Sequence, residues 1–123
     1  MKKPHKHLHL ARRKMGHIID EIYTTLLHYG SEDVDLHIRR EENGLCLRVE
    51  SNFSPEHTQH IERMGELLDP VVRSAAMVEE YWELAGEDQY TSDSEMALVG
   101  QMADEASLTI TGDRVNIELR VLF

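Results

Sequence analysis

Apolar residues recur at three- and four-residue spacing at Met15, Ile18, Ile19, Ile22, Leu26 and Tyr29. They share one flank of a helix and predict an amphipathic element facing a core. Gly30 ends the run, where a glycine can take the left-handed C-cap conformation. Glu21, Thr25 and His28 fall on a neighbouring flank and form a polar stripe at the core's margin. After the turn residues SEDVD the period changes to two. Leu36 and Ile38 alternate with His37 and Arg39, and Leu45, Leu47 and Val49 alternate with Cys46 and Arg48. Asn43-Gly44 between the runs predicts a hairpin from about Val34 to Ser51, its apolar face covering the first helix.

Ser54-Pro55 reads as an N-cap followed by proline at the first helical position. The helix it opens carries Ile61, Met64, Leu67 and Leu68 and stops at Asp69-Pro70. That dipeptide starts another helix, with Val71, Val72, Ala75, Val78, Tyr81, Trp82 and Leu84 or Ala85 as buried candidates, ended by Gly86. A polar loop with Tyr90 as its apolar anchor leads to Ser92 and Glu95, the spacing of a capping box, which predicts a helix from about Asp93 to Asp104. Strand signals return at Leu108, Thr109 and Ile110, then a turn centred on Gly112-Asp113, then Val115, Ile117, Leu119 and Val121 in alternation. The last strand is expected at or near an edge. Four strands in two hairpins, with helices before and between them, predict an α+β fold: a two-layer sandwich whose single mixed or antiparallel sheet is covered on one face by helices.

The chain has 123 residues, enough for one domain with a real core. It divides into a basic, His-rich segment over 1–14 and a single domain over 15–123. Six of the thirteen Lys and Arg residues precede Asp20, the first acid, so the body carries seven bases against 23 acids. Such a body repels nucleic acid and anionic membrane, and neither is expected as a partner. No apolar run approaches the length of a bilayer span, and the basic start is not followed by the apolar stretch of a signal peptide. The lone Cys46 reads as a small buried hydrophobe, and a reducing cytoplasm is the expected compartment. Met64, Met77, Met96 and Met102 read as gap-filling core. His5, His7 and His9 alternate, which on a strand would put three imidazoles on one face, but the spacing fits no zinc-finger or metalloprotease pattern and no metal site is assigned.

Helix, hairpin, variable helical segment, helix and final hairpin is also the order of the GHKL, or Bergerat, ATP-binding domain of sensor histidine kinases and anti-sigma-factor serine kinases, which this sequence resembles over residues 15–123. The family motif in the first helix reads much like E-x-x-T-N-A-x-K-H-G. Glu21, Thr24 and Gly30 match it, while Thr25 stands where the family has its magnesium-binding Asn. The family's D-x-G-x-G at the hairpin's end reads Ser51-Asn52-Phe53-Ser54-Pro55 here: the adenine-binding acid is Ser51 and both glycines are gone. The glycine-rich turn that cradles phosphate corresponds to Ser92–Val99, which has no glycine and adds Asp93 and Glu95.

The resemblance therefore implies a histidine-kinase-like ATPase fold with degenerate nucleotide-site positions Thr25, His28, Ser51, Asn52, Ser94 and Met96. It implies lost or weak ATP binding, no cofactor, and a regulatory or scaffolding role in bacterial-type signalling through a protein partner, with a homodimer among the arrangements. The alternative it leaves is a divergent protein-serine kinase or ATPase that binds Mg-ATP and uses Glu21 as base. A further reading, independent of the resemblance, is metal or pH sensing through the histidine-rich N-terminus.

Overall fold

The computed structural model describes residues 5–68 and 92–123. The helix expected between Val71 and Ala85 and the loop around Tyr90 lie outside the described residues.

Helix α1 spans His5–His28, ten residues further toward the N-terminus than the spacing from Met15 predicts. The reason is that the apolar stripe continues through Ala11, which is as buried as Met15. The strand-like reading of His5, His7 and His9 is thereby corrected, because positions two apart on a helix are rotated by about 200° and share no face. Its C-terminus is a Schellman motif. Gly30 has φ of 89°, Ser31 N–H donates to Leu26 O at 3.0 Å, and Gly30 N–H donates to Leu27 O at 3.2 Å.

β1 (Val34–Arg40) and β2 (Gly44–Asn52) form the expected hairpin, but its turn differs from the Asn-Gly prediction. Glu41 N–H donates to Gly44 O at 2.8 Å, so the two loop residues are Glu42 and Asn43, neither with positive φ. Gly44 belongs to the strand, where its missing side chain matters: a Cβ there would lie 2.7 Å from Val121 O. The glycine allows close approach of a neighbouring strand rather than a left-handed turn.

Ser54 makes no side-chain cap. A single 3-10 turn over Pro55–His57 leads into α2, Thr58–Leu68, which buries Ile61, Met64, Leu67 and Leu68 as expected. α3 covers Ser92–Met102, with Met96 and Val99 buried. β3 (Glu105–Thr111) and β4 (Arg114–Leu122) close the chain through a turn in which Gly112 has φ of 61°, as the Gly112-Asp113 signal predicts.

The sheet is antiparallel throughout, in the order β1-β2-β4-β3. The last strand lies near an edge and not at it, because β4 pairs on one side with the edge strand β3 and on the other with β2 along its whole length. α1 packs on β2 and β4, α2 packs on β3, and α3 touches both helices. The core gathers Ile18, Ile22 and Leu26 of α1 against Leu47 and Val49 of β2 and Ile117 and Leu119 of β4. Among the described residues the fold is a two-layer α+β arrangement with an open four-stranded sheet.

Two expectations for the hairpin fail in an informative way. Leu36 and Ile38 point to the helix-covered side, opposite Val49 and Leu47, yet are 41% and 51% exposed, since α1 reaches over β2 and not over β1. Cys46 lies on the uncovered face and is only half-buried, because strand alternation puts Leu45 and Leu47, not Cys46, toward the helices.

Glycine substitutions separate these roles. Gly44→Ala is expected to lower unfolding free energy by about 1–3 kcal/mol through overpacking against β4. Gly16→Ala, in the exposed middle of α1 with nothing within 4 Å of a new Cβ, is expected to raise it by about 0.5–1 kcal/mol. Urea unfolding of the two variants checks the opposite signs.

Candidate functional site

Two of the motif segments meet α1 at different heights: α3 beside Glu21 and the turn after β2 at its C-terminal end, where Ser54 N–H reaches Tyr29 O. Glu21 lies on the flank of α1 that faces α3, where it is hydrogen-bonded to Glu95. Two carboxyl groups can share such a bond only when one holds a proton. Partial burial, then the hydrogen bond to Glu95 and the charges of Glu95 and Asp20, push the Glu21 carboxyl up to about 7.

Thr25, the position of the family's magnesium ligand, is buried toward the core at 3% exposure. His28 is exposed and meets Tyr29 edge-on, their ring centres 5.2 Å apart. Tyr29 in turn stacks on His60 at 4.8 Å with the planes within 10° of parallel. His57 Nδ1 and His60 Nδ1 approach to 3.2 Å at the start of α2. This His-Tyr stack was absent from the sequence reading, although the three-residue spacing of the two histidines was its signal. Among the described residues, no group of three or more His, Cys, Asp or Glu side chains is arranged to hold a metal ion.

The segment after β2 is closed onto the end of α1. Ser51 is fully buried and its hydroxyl donates to Asn52 O at 2.7 Å. Asn52 O also accepts from the Ser31 hydroxyl at 2.6 Å, while Asn52 Oδ1 accepts the N–H groups of Glu32 and Asp33 at 2.9 and 3.0 Å. Ser54 N–H donates to Tyr29 O at 3.1 Å. Phe53, where the family motif needs a glycine, points into the core at 2% exposure. Gly30 packs directly on Ser54, whose Cβ would lie 2.9 Å from a Cβ at that position. Met96 is buried, and the side chain of Ser94 is outside the described residues.

The structure thus brings Glu21 to Glu95, but it turns Thr25, Ser51 and Met96 inward and ties Asn52 into the loop that follows α1. These groups do not fit a magnesium triphosphate. Glu21 faces another carboxyl instead of a cation, and the hydroxyls are inside. No protein-family model matches the chain, and no curated protein matches it.

Two described hollows lie elsewhere. An open groove of about 410 Å³ runs between Glu62, Gly65 and Glu66 of α2 and Leu108 and Ile110 of β3. A second, of about 480 Å³, lies on the uncovered sheet face around Cys46, between Arg39, Arg48, Arg120 and Glu118. There Glu41 bridges Arg39 at 3.5 Å and Arg120 at 3.4 Å.

The carboxyl pair makes stability depend on pH. With its folded pKa raised from 4.5 to about 7, Glu21 holds more proton in the folded than in the unfolded state between those values. Its contribution to stability is therefore fully present below pH 4.5 and falls as pH rises through 7. Glu21→Gln removes this slope. Relative to the wild type, the variant's urea midpoint is expected to be higher at pH 7.5 than at pH 5. A constant difference between the two pH values would show the pair to be uncoupled. Asn52→Ala, which strips two loop N–H groups of their acceptor, is expected to cost about 1–2 kcal/mol in the same assay.

Proposed function

We propose that this chain is a degenerate histidine-kinase-type module of the GHKL kind that has lost useful ATP binding and acts through its surface, as a regulatory or scaffolding partner in bacterial-type signalling. The observation that carries the reading is the loop after β2. Phe53 occupies the core at 2% exposure and the Ser51 hydroxyl is fully buried, at the position where the family opens its adenine pocket. The order of elements supports it too: one helix with a polar stripe, a hairpin, further helices and a final hairpin in a single antiparallel sheet. The Glu21–Glu95 contact adds to this, since a carboxyl in the place of a phosphate repels one. A compartment with reducing conditions suits the unpaired Cys46.

The alternative is a divergent ATP-dependent kinase or ATPase. One observation favours it: a carboxyl raised to about 7 has the proton affinity of a general base working near neutral pH.

Calorimetric titration with Mg-ATP is expected to give no binding tighter than about 100 µM, a free energy near −5.5 kcal/mol. Tighter, magnesium-dependent binding would overturn the degenerate reading. Phosphate transfer or ATP hydrolysis abolished by Glu21→Gln would establish the enzyme instead.

A further inference from the structure

Among the described residues β1 is the terminal strand of the sheet, and its residues describe a surface that fits itself. The Glu41–Gly44 pair is hydrogen-bonded. By the alternation of an antiparallel ladder, Arg39, His37 and Asp35 also bond toward β2, so Val34, Leu36, Ile38 and Arg40 turn their N–H and C=O groups outward. β1 contains no proline and no bulge, two of the devices that blunt such an edge, and its charged residues are Asp35, Arg39 and Arg40.

Two features of β1 are unexplained within one chain. Leu36 and Ile38 face the helix side but stay 41% and 51% exposed. Tyr23 of α1 is also 46% exposed, about 200° around the helix from Glu21 and so on the flank turned away from α3. Asp35 sits directly opposite Glu50 of β2, a like-charge pair across the ladder, and among the described residues it has no cationic partner.

We infer that β1 pairs antiparallel with β1 of a second copy of this chain, about a two-fold axis through His37, to form a continuous eight-stranded sheet. The argument is the sequence of the strand itself, Val-Asp-Leu-His-Ile-Arg-Arg. Full overlap of the seven residues places Asp35 opposite Arg39 of the second copy, twice, on the uncovered face. It places Leu36 opposite Ile38 of the second copy, twice, on the helix face. Leu36 and Ile38 are both outward-bonding residues, so this register satisfies the backbone as well as the side chains. A slip of two residues one way sets Asp35 against Glu41 of the second copy, and the other way leaves Asp35 opposite His37 and Arg39 opposite Asp33, which lies before the start of the strand. Arg39 already meets Glu41 at 3.5 Å, and a guanidinium with five donors can hold a second carboxylate. Asp33 and Glu41 oppose each other only beyond the strand ends, where solvent screens them. The interface is isologous, so it closes at two copies. It does not depend on whether the chain binds nucleotide.

Sedimentation equilibrium of the full chain is expected to show a dimer. Asp35→Arg, which sets two arginines against each other at both sites, is expected to weaken it by about tenfold or more. Adding Arg39→Asp to that variant restores opposite charges in the same register and is expected to restore the dimer. Independently, His37→Cys in a Cys46→Ser background puts two thiols at a non-hydrogen-bonded pair, where a Cα separation of about 4.5 Å permits a disulfide. It is expected to cross-link on mild oxidation, while Thr109→Cys on β3 is expected not to. A monomeric wild type overturns the inference, as does a dimer indifferent to Asp35→Arg or a His37→Cys chain that fails to cross-link. If Asp35→Arg fails to fold, the cysteine pair alone decides.

Discussion

Leu47 and Val49 of β2, Ile117 and Leu119 of β4, and Ile18, Ile22 and Leu26 of α1 are sealed from water in one cluster. Every other element is placed by its relation to that contact. β2 and β4 come from hairpins far apart in the chain, and a shared apolar face together with their backbone ladder joins them into one sheet. Closing each of these side chains off is worth about 1.5–3 kcal/mol, more than any exposed ion pair in the molecule can contribute. The pairing must also be tight, and the bare backbone of Gly44 against Val121 O at 2.7 Å from where a Cβ would stand shows how tight.

The parts of this arrangement that were legible in the sequence are those dictated by period. The hairpins, α2, α3 and the buried positions within them follow from spacing of apolar residues, which reports directly on which face meets a core. What failed was information that spacing does not carry. α1 begins at His5 because Ala11 is small enough to look neutral in a pattern yet packs like its larger neighbours. Asn43-Gly44 looked like a turn signal, but the glycine serves an inter-strand contact. Leu36 and Ile38 alternate as well as Leu47 and Val49, and only the order of strands reveals that no helix of the described residues roofs them. The place of β4 between β2 and β3 is likewise a matter of topology.

At the candidate site, residue types were readable and their orientations were not. Thr25, Ser51 and Phe53 were visible as differences from the motif the sequence resembles. That Ser51 and Thr25 turn inward, and that Asn52 fastens Ser31, Glu32 and Asp33, required coordinates, since the same side chains could equally have lined a pocket. The meeting of Glu21 with Glu95 joins residues of two packed helices that lie far apart in the sequence. Burial and the neighbouring carboxylates raise the Glu21 carboxyl to about 7, so the pair shares a proton as pH falls below neutral.

The strand order carries a consequence for how the molecule assembles. Each hairpin needs only its own short turn to form, but β2 and β4 can join only after the segment between them, which carries α2, α3 and β3, has been looped back. Local pieces that form rapidly must therefore wait for one slow docking event. Until it occurs, both β2 and β4 present unpaired edges, and a neighbouring chain can supply the missing strand as readily as the proper one. The newly made polypeptide is thus most vulnerable to mispairing in the interval between hairpin formation and closure of the sheet's middle.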